Sequence, residues 1–115
     1  MEALGSITRN AAVAVLDACW LQQKLLTSNI ANHASANFQP TAVDFVDFLE
    51  RLEASVSEQR ASGRAAMTET IEPQIRLQQE DVQLDVQVRD LSINAARYEA
   101  TLTLLNRLQS MNHFY

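Results

Sequence analysis

The segment Leu84–Leu105 reads LDVQVRDLSINAARYEATLTLL, and the spacing of its apolar residues decides the fold. Leu84, Val88, Leu91, Ala95, Tyr98, Leu102 and Leu105 recur at alternating steps of four and three. Such a heptad marks a helix that presses one narrow seam against another helix. The residues between are largely Asp, Gln, Arg, Ser, Asn, Glu and Thr, so much of the opposite side is polar. A helix of this kind gains little from backbone propensity and needs a packing partner. Burying each of the larger seam side chains is worth about 1.5–3 kcal/mol, enough to order the helix once a matching surface exists.

The expected surface is an N-terminal helix, about residues 6–31. Ile7, Ala11, Ala14, Ala18, Leu21 and Leu25 repeat the four-three spacing, and Ser28 takes the next slot. A second stripe of Ala12, Leu16, Cys19, Leu26 and Ile30 lies beside the first. A helix that is apolar on two sides touches more than one neighbour. This helix would span about 37 Å and a C-terminal helix over residues 85–112 about 42 Å, so the two are matched to lie side by side.

Between them the chain reads as loop, helix and linker. Residues 32–40 form a shaped turn in which Asn32 or Asn37 takes the left-handed backbone usually left to Gly. Pro40 pushes Gln39 toward extended angles, and Phe38 is available as an apolar anchor. Thr41 is expected to cap a middle helix over about residues 42–61, with Asp44 three residues on. Phe45, Leu49, Leu52 and Val56 make its stripe, Phe48 widens it and Gly63 stops it. Residues 62–81 read as a linker, small and polar up to Thr70. Ile71, Ile75 and Leu77 around Pro73 suggest a short extended piece within it. Val82, Leu84, Val86 and Val88 also alternate with period two, so the last helix is placed from near Asp85. The expected architecture is all-α: long terminal helices packed as a coiled-coil-like pair, with a loop and a shorter middle helix.

Composition narrows function further. The 115 residues suffice for one domain, with few rings (6% aromatic) and two each of Gly and Pro, which favours long helices over a many-turned sandwich. A net charge of −5 with no basic run argues against nucleic acid. No stretch of about 20 apolar residues could span a bilayer. The start of the chain lacks a basic segment followed by an unbroken apolar run, so no cleaved secretory signal is expected. Cys19 reads as a buried, inert thiol. His33 and His113 are isolated, and no His or Cys pair has metal-ligand spacing. Asp81 and Asp85 read as helix-start carboxylates that complement the dipole, and Tyr98 as core. No phosphate-cradling Gly loop is possible with Gly5 and Gly63 alone. No active site and no cofactor are expected.

Two stretches resemble one family. Ser28-Asn29-Ile30-Ala31-Asn32, followed by a short loop to Phe38, is similar to the N-terminal motif of the axial proteins of the bacterial flagellum. In rod and hook members that motif runs Ala-Asn-x-x-Thr-x-Gly-Tyr. Here Ala31-Asn32 fit, while Ser35, Asn37 and Phe38 stand where Thr, Gly and Tyr are usual. Asn is the best non-Gly residue for left-handed backbone. Val82-Gln83-Leu84-Asp85, then Asn94-Ala95-Ala96-Arg97-Tyr98-Glu99-Ala100, resembles that family's closing helix. The short middle around Asp44-Phe45 is most similar to the proximal-rod members among the flagellar basal body rod proteins.

The resemblance implies a non-enzymatic structural subunit, exported by the flagellar type III apparatus without a cleaved signal and assembled in the periplasmic rod. It implies self-assembly and contacts with other rod subunits, the membrane ring, the export gate and its adaptor subunit, with no lipid anchor. The implied assembly surface joins Ile7, Ala11, Ala14, Ala18, Leu21, Leu25, Ile30, Asn32 and Phe38 to the heptad of the last helix. Each terminal helix is then expected to offer an apolar stripe that one chain cannot hide, leaving the free chain marginal until neighbours cover it. The rival readings are a small acidic helical adaptor or secretion chaperone, forming a closed dimer, and a small helical enzyme. The last needs charged groups converging on the seam, and the seam residues carry none.

Overall fold

A computed structural model describes residues 2–65, 71–78 and 83–114. The elements in chain order are α1 (Glu2–Ala31), β1 (Thr41–Val43), α2 (Phe45–Ser62), β2 (Ile75–Leu77) and α3 (Leu84–Phe114). The two long helices pack against each other, as the matched stripes require. They run antiparallel: Asn94 of α3 meets Cys19 of α1, while the earlier Gln87 meets the later Asn29. Both reach further than the sequence pattern indicates, α1 beginning at Glu2 and α3 running from Leu84 to Phe114.

The middle of the chain departs from expectation at one end. Residues 41–43 are extended, and α2 starts at Phe45. Its cap is Asp44, whose carboxylate accepts from the Asp47 amide at 3.1 Å, and not Thr41. The capping pattern was present, but Thr41–Val43 is diverted into a two-stranded antiparallel ribbon with β2, Thr41 opposite Leu77 and Val43 opposite Ile75. The extended piece expected around Ile75 is thus a strand, and residues 71–78 are not merely a linker. The Asp44 amide donates to the Gln74 carbonyl at 2.8 Å. Arg51 donates to the Glu72 carbonyl and also pairs with Asp47 at 3.0 Å, fastening the approach to β2 onto α2.

Gly63 ends α2 in left-handed backbone (φ 69°), its amide turned back to Arg60. Asn37 takes the same region (φ 68°) in the turn after α1, as an Asn in that slot can. Phe38, at the end of that turn, is half-buried. The remaining linker at residues 66–70, and Val82 with its strand-like alternation, fall outside the described residues.

The core forms where α2 and β1 meet α1. Ala14, Ala18 and Cys19 pack with Val43, Phe45, Phe48 and Leu52, joined by the half-buried Ala11, Leu21 and Leu25. Phe45 and Phe48 meet edge-to-face at 5.9 Å. Small Ala side chains on α1 let the Phe rings of α2 come close. The first stripe of α1 therefore serves α2 and the ribbon, whereas α3 takes another side.

The molecule measures 55 × 25 × 15 Å, so its thinnest dimension is little more than one helix diameter. Its radius of gyration, 16.6 Å, exceeds the roughly 13 Å of a compact domain of this length. A plate of this kind has no second layer to cover the far side of α3.

Candidate assembly surface

The side chains of α3 that are fully buried are amides. Gln87 and Asn94 are each 2% exposed, and among the described residues no fully buried hydrophobe belongs to α3. Asn94 Nδ2 donates to the Cys19 carbonyl at 3.0 Å and to Gln23 Oε1 at 3.3 Å. Asn29, fully buried, is the hub at the other end. Its Oδ1 accepts from the Thr41 amide at 3.1 Å, and its Nδ2 donates to the Thr41 carbonyl at 2.8 Å. The same Nδ2 donates to Gln87 Oε1 at 3.0 Å, and Gln87 Nε2 donates on to Gln78 Oε1 at 2.8 Å. One asparagine so binds α1 to β1 and α3. Gln22 Oε1 accepts from the Val43 amide at 2.7 Å and adds a second tie to the strand.

Most of the heptad of α3 lies beside this polar stripe, not on it. At about 100° per residue, its members spread from the line of Gln87 itself, at Leu105, to about 100° around the axis from it, at Val88. Leu91 and Leu105 reach the contact edge and are half-buried, whereas Leu84, Val88, Ala95, Tyr98 and Leu102 are exposed. The expected seam between the two helices is thus corrected: the chain pairs its terminal helices through amides and leaves the heptad largely open. Tyr98 is correspondingly surface, at 37% exposure, and not core.

The side on which the ribbon opens follows from Arg97. This residue lies on the other flank of the amide stripe, with its guanidinium 4.2 Å from the centre of the Phe45 ring. Phe45 belongs to α2, so the heptad faces away from α2. In an antiparallel pair, residues one step past the contact line on each helix open on the same side. Trp20 follows Cys19 as Ala95 follows Asn94, so Trp20, 59% exposed, borders the same apolar face. Its ring holds Lys24 Nζ at 5.3 Å. Along the other flank of α3, Ile93, Leu104 and Met111 are exposed as well.

The α1 half of the expected surface is mostly sheltered. Ile7, Ala14 and Ala18 are buried, and Ala11, Leu21, Leu25, Ile30 and Asn32 are half-buried. Its second stripe is also covered, with Ala12, Cys19 and Leu26 at 5% exposure or less. Apolar side chains stay uncovered along α3, at Trp20, at Val46 and Leu49 of α2 (Leu49 being expected in its buried stripe) and at Ile75 and Leu77 of β2, whereas both expected stripes of α1 are mostly covered, so the expectation that both ends leave one open is corrected for α1. Asn32 bonds back to the Ser28 carbonyl at 2.8 Å and acts within its own turn.

Catalytic material is sparse. Burial raises the pKa of the Cys19 thiol, against an opposing pull from Arg97, so it stays protonated. His33 is exposed with Nδ1 against the Ile30 carbonyl. Asp85 is exposed in the first turn of α3; Asp81 and the His113 side chain lie outside what is described. No cluster of three potential metal ligands occurs among the described residues. No described helix is long and apolar enough to cross a membrane.

Reading the heptad alone missed Asn29, Gln87, Asn94 and Trp20. Asn29 and Asn94 stand inside the two stretches that carry the family resemblance, but nothing in their spacing separates a buried amide from a solvated one. No family model, curated protein or solved structure matches this chain.

Proposed function

We propose that this chain is a structural subunit of the flagellar basal body rod, of the proximal type, which assembles through its terminal helices into a helical tube. The observation that carries the reading is the orientation of α3, which buries two amides on α1 and leaves Leu84, Val88, Ala95, Tyr98 and Leu102 of its heptad exposed. A heptad is built to be covered by another helix. Here α1 packs on α3 along a line beside those five heptad residues, so their cover comes from neighbouring subunits. Contacts of this kind that do not close on themselves generate open helical assemblies. The two family-like stretches add the axial context, and with it export through the flagellar apparatus and a place in the periplasmic rod. Other rod subunits, the membrane ring and the export gate with its adaptor are the partners this reading brings.

The test is electron microscopy of the purified chain across concentrations, alone and mixed with the other rod proteins of the same cell. Rods or tubes that lengthen with concentration or with added rod protein are expected. A closed dimer, unchanged on dilution and inert toward rod proteins, would contradict the reading and favour the adaptor alternative.

A further inference from the structure

We propose that Gln87 and Asn94 are positioning residues that fix the rotation of α3 on α1 and thereby hold the heptad outward. Hydrophobic burial alone would choose otherwise. The second stripe of α1, Ala12, Leu16, Cys19, Leu26 and Ile30, is an apolar surface of the length and spacing that the heptad of α3 matches. Turning α3 by less than one residue step, about 100°, would lay Leu84, Val88, Ala95 and Leu102 on that stripe. The chain instead sets two primary amides against it, at 2% exposure each, with only Leu91 and Leu105 of the heptad half-buried beside them. Asn94 Oδ1 has no hydrogen-bond partner in its buried position, a cost that an apolar residue there would not carry.

What the amides provide is direction. Four bonds, from Asn94 to the Cys19 carbonyl and Gln23 and from Gln87 to Asn29 and Gln78, all break if α3 turns. A buried amide in an apolar helix interface selects one register among packings of similar energy, at some cost in stability. The two amides lie seven residues apart, two turns of α3, so they fix its rotation at two heights and not at a single pivot. The inference concerns the isolated chain and stands whether or not the chain builds a rod.

Thiol labelling of the dilute full-length chain tests it. In a Cys19→Ala background, single thiols are introduced by Val88→Cys, Leu102→Cys, Thr101→Cys and Thr103→Cys. Each is measured with the amides present and with Gln87→Ala plus Asn94→Ala, which removes the four bonds without placing large apolar side chains on the contact line. Once the amides are replaced, the thiols at 88 and 102 should label about tenfold more slowly as they turn inward. The half-buried position 101 should label faster, and the outer position 103 should stay within about twofold. Unchanged rates at 88 and 102 would overturn the inference, including the case in which α3 leaves α1 altogether. Slowing at all four positions, the mark of association and not rotation, would overturn it too.

Discussion

At the scale of single residues, Asn29 carries the most structure per atom. It satisfies both backbone groups of Thr41 and one oxygen of Gln87 from a fully buried position. Asn29→Ala strands those groups, so the unfolding free energy should fall by about 2–4 kcal/mol in urea titration, at the upper range for a buried polar contact. Asp44→Ala removes only a cap and should cost about 1 kcal/mol. Cys19 gives a pH signature. Its pKa is higher folded than unfolded, so the folded chain keeps its proton where the unfolded chain loses it. The associated stability is complete below the unfolded thiol's pKa and declines as pH rises past it. Cys19→Ala should therefore flatten the alkaline arm of a stability-against-pH curve measured by urea titration. An unaltered slope would show that the thiol is not the group responsible. The buried thiol, the left-handed Asn37 and the Gly63 stop were all legible in the sequence, because each depends on local chemistry. The roles of Asn29, Gln87 and Asn94 were not, since an amide's value is set by partners 9 to 75 residues away.

At the scale of elements, α1 and α3 carry similar patterns to opposite ends. Periodicity alone placed both helices and their mutual packing, but it left the rotation of each open. Two stripes on α1 met two neighbours, as a two-sided helix must; the single heptad on α3 met α1 only at Leu91 and Leu105, because buried amides hold the contact line. Thr41–Val43 departs from the helix its pattern suggests for a related reason: a cap and an apolar run look the same whether the run is helix or strand, and pairing with Ile75–Leu77 decides it. The asymmetry is testable. Ala18 is fully buried beneath α2, so Ala18→Leu overpacks that contact and should cost about 1–3 kcal/mol. Leu102→Glu changes an exposed position and should move monomer stability by no more than about 0.5 kcal/mol. Thermal unfolding of the two variants, at a concentration where the parent is monomeric, compares them directly.

At the scale of the whole molecule, a plate 15 Å thick cannot bury both faces of its outer helix, and it leaves most of the heptad of α3 exposed. Trp20, Leu84, Val88, Tyr98 and Leu102 form a surface on which a helix of another subunit fits. The account rests on that surface being covered only by association. Sedimentation velocity from nanomolar to high-micromolar concentration, run on the parent chain and on Val88→Glu plus Leu102→Glu, measures this most directly. The parent should grow into larger species as concentration rises, and the double variant should stay monomeric with an unchanged far-ultraviolet circular dichroism spectrum. A parent chain that remains a fully helical monomer at every concentration, or a double variant that associates just as well, would contradict it.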